Sequence, residues 1–198
     1  SGWVSSDGPF VEKFEDGLKN TFKRKYSVAV SSGSAALDIA IASLGIGKGD
    51  EVILPSHTII SCASSVTKSG AIPVLVDSNK ETWNMSIDDI ESKITNKTKA
   101  IMAVHLYGLP LDMDPILDLA KKYSLFVIED AAEMIGQTYK DRMCGSLGDI
   151  SIMSFYPNKH ITTGEGGVCL TDNEDLADKC KYYRNLCFEE PRFVHKDL

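Results

Sequence analysis

Ser154-Phe-Tyr-Pro-Asn-Lys-His-Ile-Thr-Thr-Gly-Glu-Gly-Gly167 sets one lysine, Lys159, in a short turn between two strand-like runs. The run before it is Asp149-Ile-Ser-Ile-Met-Ser-Phe155, and the run after it is Gly167-Val-Cys-Leu-Thr171. That setting is poor for a solvated helix face. It suits an amine that projects from a sheet edge into a pocket, and lysine amines form Schiff bases with carbonyls. A lone lysine is ordinarily a mobile surface residue, so the chain on either side has to carry the reading.

Outward from this stretch, strand and helix signals alternate. Tyr26-Ser-Val-Ala-Val30 reads as a strand running into the small-residue turn Ser31-Ser-Gly-Ser34. Ala35 to Leu44 reads as a helix, because Ala35, Ala36, Ile39, Ala40 and Leu44 recur at helical spacing and Gly45 supplies a stop. Glu51-Val-Ile-Leu54, Ile72-Pro-Val-Leu-Val-Asp77, Ala100-Ile-Met-Ala-Val104 and Phe126-Val-Ile-Glu-Asp130 read as further strands. Helices are expected over Ser61 to Lys68, from a Ser86 cap through Ile94, over Asp114 to Tyr123 with Pro115 in its first turn, and over Glu174 to Leu186. The alternation argues for an α/β fold. Several strands are continuous apolar runs, which suits a largely parallel sheet covered by helices on both faces. There is no internal repeat or linker, so one domain is expected over 1–198.

Composition bounds the partners. The chain has 198 residues, 43% of them hydrophobic, enough for one substantial core. A net charge of −7 without a basic stripe argues against nucleic acid. The five cysteines are scattered and odd in number, which favours reduced thiols and a cytoplasmic setting over a disulfide framework. No apolar run approaches the roughly 18 residues of a membrane span. The four histidines show no metal-ligand spacing, so no metal is expected. The chain opens on Ser1 rather than Met, and residues 190–198 run out without a cap. A piece of a longer protein is the expectation.

In open α/β sheets ligands sit beyond the carboxyl ends of the strands, and the informative residues cluster there. The Ser31–Ser34 turn precedes a helix N-terminus, whose free N–H groups and positive dipole end suit a phosphate; it is equally an ordinary turn. Asp130 ends a strand and suits a protonated pyridine nitrogen, or else an N-cap. Ser154 offers a second hydroxyl. Gly164, Gly166 and Gly167 allow close backbone approach, or simply a hairpin. The order is more telling than any member: small-residue turn, aspartate after an apolar strand, then Ser-x4-Lys in a loop.

That order, with Ser32-Gly-Ser-Ala-Ala-Leu37, Gly49-Asp-Glu-Val-Ile53, Pro55-Ser56, His105-Leu-Tyr-Gly108, Glu129-Asp-Ala-Ala-Glu133 and Ser154-Phe-x-x-Asn-Lys159 through Thr163-Gly-Glu-Gly-Gly167, resembles the nucleotide-sugar aminotransferases of fold-type I. These enzymes depend on pyridoxal 5'-phosphate (PLP). The resemblance runs from about Gly2 to Leu198. Its Thr-Thr-Gly-Glu-Gly-Gly version and the opening Gly2-Trp-Val-Ser-Ser-Asp-Gly-Pro-Phe10 are most similar to the perosamine-synthase branch, which aminates C4 of a GDP-linked 4-keto-6-deoxy sugar.

The resemblance implies a three-layer α/β/α large domain with a mostly parallel mixed sheet, shortened at both ends and lacking a small C-terminal domain. It implies Lys159 as the Schiff-base lysine and proton carrier, with a depressed pKa. Asp130 would face the pyridine nitrogen. Gly33, Ser34, Ala35 and Ser154 would hold the phosphate, and Glu133 would lie near the ring oxygen. His160 is as readily structural. Ile59 stands where the family usually stacks an aromatic ring on the cofactor, so that face loses its π-stacking. Partners implied are a nucleotide sugar, glutamate as amino donor and a second copy in a homodimer. The reading left open beside it is another PLP enzyme on sugar nucleotides, a 3-aminotransferase or a dehydratase, although the dehydratase branch replaces the lysine with histidine. A non-catalytic ligand-binding fragment is also left open.

Overall fold

Short apolar runs form the strands, and the helices that follow them bury small-residue or amphipathic faces. In the computed structural model, which describes residues 8–189 and 194–195, the principal strands are β1 (Tyr26–Val30), β2 (Glu51–Pro55), β3 (Ile72–Val76), β4 (Thr98–Val104) and β5 (Phe126–Asp130). A small hairpin, β6 (Thr138–Tyr139) and β7 (Arg142–Met143), precedes β8 (Ile150–Ser154) and β9 (Gly167–Thr171). The helices are α1 (Pro9–Phe22), α2 (Gly33–Ser43), α3 (Ile60–Lys68), the short α4 (Ile90–Lys93), α5 (Met113–Tyr123) and α6 (Glu174–Arg184).

One seven-stranded sheet runs β1-β9-β8-β5-β4-β2-β3. The pairs from β8 through β5, β4 and β2 to β3 are parallel, and β9 is antiparallel to both its neighbours. The sheet is therefore mixed but mostly parallel, and the α/β expectation holds.

The pleat distributes each strand between two layers. Val52, Leu54, Ala100, Met102, Val104 and Ile128 join Ala36, Leu37, Ala40 and Ile41 of α2 in one core. Ile53, Ile101, Ala103 and Val127 point the other way, onto Met113, Ile116 and Ala120 of α5. On that second face Phe22, from α1, packs with Met153, Phe155, Val168 and Leu170. Helices on both faces explain why β8 and β9 are buried at every position.

One expectation is corrected, and one helix is added to those expected. No helix starts at Ser86: its N–H donates to the Asp77 carbonyl beside a Ser78–Met85 bridge, and helix forms only over Ile90–Lys93. The helix α1 was not expected, although Phe14, Leu18 and Phe22 lie four residues apart on the face it buries. The other helices lie within two residues of their expected bounds. Gly2 to Asp7 of the opening motif and the end of the chain beyond Val194–His195 lie outside the described residues.

Candidate active site

The carboxyl ends of β1, β5 and β8 and the start of β9 meet at one sheet edge, because register places Val30 and Ser154 each opposite Gly167 and Asp130 opposite Ile152. There a cavity of about 550 Å³ opens, lined by Ser34, Ile59, Asp130, Ser154 and Lys159 among others. A smaller hollow of about 270 Å³ shares Ile59, Asp130 and Lys159 and adds His57, Tyr107 and Glu133.

One end of the cavity is an anion cradle. The Ser32 Oγ accepts the Ala35 N–H at 3.1 Å and caps α2, which leaves the earlier N–H groups of the first turn without a helical partner. Glycine is required on both sides of this turn. A Cβ on Gly33 would stand 2.8 Å from the Ser154 Cβ, and one on Gly167 only 2.3 Å from the Ser32 carbonyl oxygen. The hydroxyls of Ser34 and Ser61 lie 2.8 Å apart at the rim. Ala35 does not join the cradle: its N–H is used by the Ser32 cap, and it borders a different hollow with Val11 and Tyr183.

Asp130 closes the far side. Its side chain is held by the Ala132 N–H on Oδ1 at 3.0 Å and by the Cys62 thiol on Oδ2 at 3.3 Å. With the residue only 2% exposed, burial pushes its carboxyl above the usual aspartate range, against the Ala132 and Cys62 hydrogen bonds and the charges of His105 and Lys159.

Lys159 enters from the turn after β8, where its N–H donates to the Tyr156 carbonyl. Its Nζ donates to Glu133 Oε1 at 3.0 Å, and Glu133 Oε2 accepts the Tyr107 N–H at 2.8 Å. The two side chains are 18% and 31% exposed, a half-buried pair. Burial works to raise the Glu133 carboxyl, but the Tyr107 N–H and Lys159 outweigh it and hold it below the usual range.

Behind the site, Glu129 is buried and takes the N–H groups of Gly145, Leu147 and Gly148, the Ser151 hydroxyl and the His105 ring. Burial opposes its ionisation, yet these partners, His105 first, hold its pKa down to about 2. The network pins the 145–148 loop to the end of β5.

The site therefore joins residues given a role by the sequence (Gly33, Ser34, Ile59, Asp130, Glu133, Ser154, Lys159) with Ser32 and Tyr107, which lie in the quoted motifs without a role of their own, and with Ser61 and Cys62, which lie in none of them. Ile59 is 60% exposed on the cavity rim, an aliphatic face rather than a ring. His160 is exposed. Among the described residues no group of three or more metal-binding side chains comes together, and no helix is long and apolar enough to cross a membrane. Chemically, the arrangement suits a flat ligand with an anionic end in the cradle, a cationic ring atom at Asp130 and a carbonyl carbon at the Lys159 amine.

The profile of the DegT/DnrJ/EryC1/StrS aminotransferase family matches residues 1–198. The chain is 50% identical over 184 residues to the GDP-perosamine synthase of Escherichia coli O157:H7, covering 93% of this chain and 50% of that protein. It superposes with a TM-score of 0.92 and 38% identity on DesV of S. venezuelae, solved as a complex with a ketimine intermediate, over 96% of this chain and 51% of that one. NtdA of Bacillus subtilis, solved with bound PMP, matches with a TM-score of 0.90 and 39% identity over 97% of this chain and 43% of that one. The chain spans about half the length of the curated relatives it matches.

Proposed function

The chain belongs to the DegT/DnrJ/EryC1/StrS aminotransferase family, and from that premise we propose that it carries the cofactor site of a PLP-dependent aminotransferase acting on a nucleotide-linked 4-keto-6-deoxy sugar. The favoured substrate is GDP-4-keto-6-deoxymannose, with glutamate as donor and a 4-amino sugar for surface polysaccharide as product. One observation carries the reading: a lysine amine, a buried carboxylate and a glycine-walled, serine-lined cradle face a single cavity of the right size. The 50% identity to a GDP-perosamine synthase supports the choice of sugar.

Pyridoxal phosphate, when bound, supplies an aldehyde that bonds an amine covalently and a ring that withdraws electrons from the adjoining carbon. The chain's own residues do the rest. The N–H groups at the start of α2, with the Ser34 and Ser154 hydroxyls, bind the phosphate oxygens. Asp130, whose carboxyl burial pushes up, would supply the negative charge that favours a protonated ring nitrogen. Lys159 would supply the amine that meets the aldehyde carbon. The same Nζ would hold and move a proton as the general base. Glu133 holds that nitrogen within 3.0 Å and is itself anchored on the Tyr107 N–H.

The reading also places the protein in the cytoplasm as a homodimer. Its five free cysteines suit a reducing compartment. Exposed Ile59, Ile60, Trp83 and Tyr107 around the site offer an apolar face to a second copy. The test is product analysis by the intact protein with PLP and glutamate, given GDP-4-keto-6-deoxymannose beside UDP- and TDP-linked ketosugars. Amination at C4 of the GDP sugar is expected. Amination at C3, or turnover of the UDP or TDP sugar alone, overturns the substrate assignment.

A further inference from the structure

Cys62 lies in the first turn of α3, fully buried, and belongs to none of the motifs that mark the site. Its Sγ stands 3.3 Å from Asp130 Oδ2 and 3.4 Å from the Thr58 Oγ1. Burial, and after it the Asp130 charge, push the thiol far above its ordinary range, so it carries its proton. With one proton to give and a carboxylate beside it, the thiol donates to Asp130 and accepts from the Thr58 hydroxyl. The other carboxylate oxygen is held by the Ala132 N–H.

We propose that Cys62 is a positioning residue for Asp130: the Thr58–Cys62–Asp130 chain fixes the carboxylate in the orientation that faces the ring nitrogen of the cofactor. The inference rests on the function proposed above. A thiol is a weak donor. It sets the direction of the carboxylate yet neutralises little of its charge, which stays available to a cation in the cavity. A hydroxyl at this position would bind the carboxylate more tightly and weaken it as a partner. An alkyl side chain would leave Oδ2 untethered in an apolar wall. The charged and titratable groups acting on Asp130 are Cys62 from α3, His105 from the end of β4 and Lys159 from the loop after β8, the last paired to Glu133. Only the first is changed by the substitutions below.

The test uses the intact protein with 13C-labelled aspartate, no cofactor added, and the Asp130 resonance assigned through Asp130→Asn. Cys62→Ala removes a donor to the ionised form, so the titration midpoint of Asp130 should rise, by about one pH unit. Cys62→Ser supplies a stronger donor, so the midpoint should fall below that of the parent. A second arm measures PLP dissociation by fluorescence quenching: Cys62→Ala should bind about tenfold more weakly, and Cys62→Ser should recover most of that loss. Midpoints unchanged in both variants overturn the proposal, as does a fall in Cys62→Ala. If Cys62→Ala does not fold, Cys62→Ser decides alone, and a midpoint equal to or above the parent's overturns it. Failure of the parent protein to take up PLP sinks the proposed function instead, while the titration still judges Cys62.

Discussion

The Lys159 ammonium and the Glu133 carboxylate meet at 3.0 Å across the mouth of the cavity, and the second Glu133 oxygen holds the Tyr107 N–H at 2.8 Å. One carboxylate thus ties the loop after β8 to the loop after β4. Tyr107 has a left-handed backbone, φ 52°, which a non-glycine residue keeps only when its surroundings impose it. Glu133→Ala removes that restraint. Amide exchange at Tyr107 should accelerate, with a loss of about 1 kcal/mol in stability, as expected for a half-buried pair. Hydrogen exchange read by mass spectrometry, with a urea melt alongside, checks both.

Glu129 is a structural carboxylate whose worth depends on pH. Its folded pKa is held to about 2 against 4.5 unfolded, so its stabilisation is present above pH 4.5 and is lost as pH falls from there towards 2. Glu129→Gln would turn an amide N–H towards a ring of N–H donors. It should cost about 3–5 kcal/mol at pH 7 and flatten the acid limb of the stability curve below pH 4.5. Urea unfolding at pH 7 and pH 3 checks this; parallel curves for both proteins across that range would refute it.

Asp130 has the opposite sign. Burial raises its folded pKa above 3.8, so its favourable contribution is present below pH 3.8 and is lost as pH rises through the folded value. Above its folded value the ionised group burdens the fold. Asp130→Asn should therefore melt at an equal or higher temperature at pH 7, with the gain disappearing in acid, while PLP binding is lost. A stability cost maintained for function is the pattern expected at a reaction site.

The cradle is predicted to fail through backbone contact. Gly167→Ala would place a methyl 2.3 Å from the Ser32 carbonyl oxygen, where no side chain can swing away. A loss of about 1–3 kcal/mol is expected, together with loss of PLP binding as the start of α2 is displaced. Gly17→Ala is the control: a Cβ there meets nothing within 4 Å inside α1, so a gain of about 0.5–1 kcal/mol is expected. Thermal melts and PLP titrations of the two variants separate the cradle from a general glycine effect.

Much of the fold was legible because its strands are short apolar runs whose punctuation is local: Phe126–Asp130 and Gly167–Thr171 stand where their residues place them. The α1 helix is harder to read although Phe14, Leu18 and Phe22 repeat every four residues, since every residue between them is polar, charged or glycine. Ser86 has the chemistry of a cap, yet its N–H is taken by Asp77 across a bridge that only the folded chain brings near. In the site, Asp130 and Lys159 were legible because each ends or follows a strand that points at one edge. Cys62 and Tyr107 were not. Their roles depend on partners 68 and 26 residues away, and no local pattern encodes which helix turn faces which carboxylate.

The Lys159 amine is the group on which the proposed chemistry turns, and borohydride reduction tests it most directly. The intact protein is mixed with PLP, reduced, digested and mapped by mass. Reduced cofactor is predicted on the peptide carrying Lys159 and to vanish with Lys159→Ala. Label spread over exposed lysines such as Lys122, or retained undiminished in Lys159→Ala, would contradict the account.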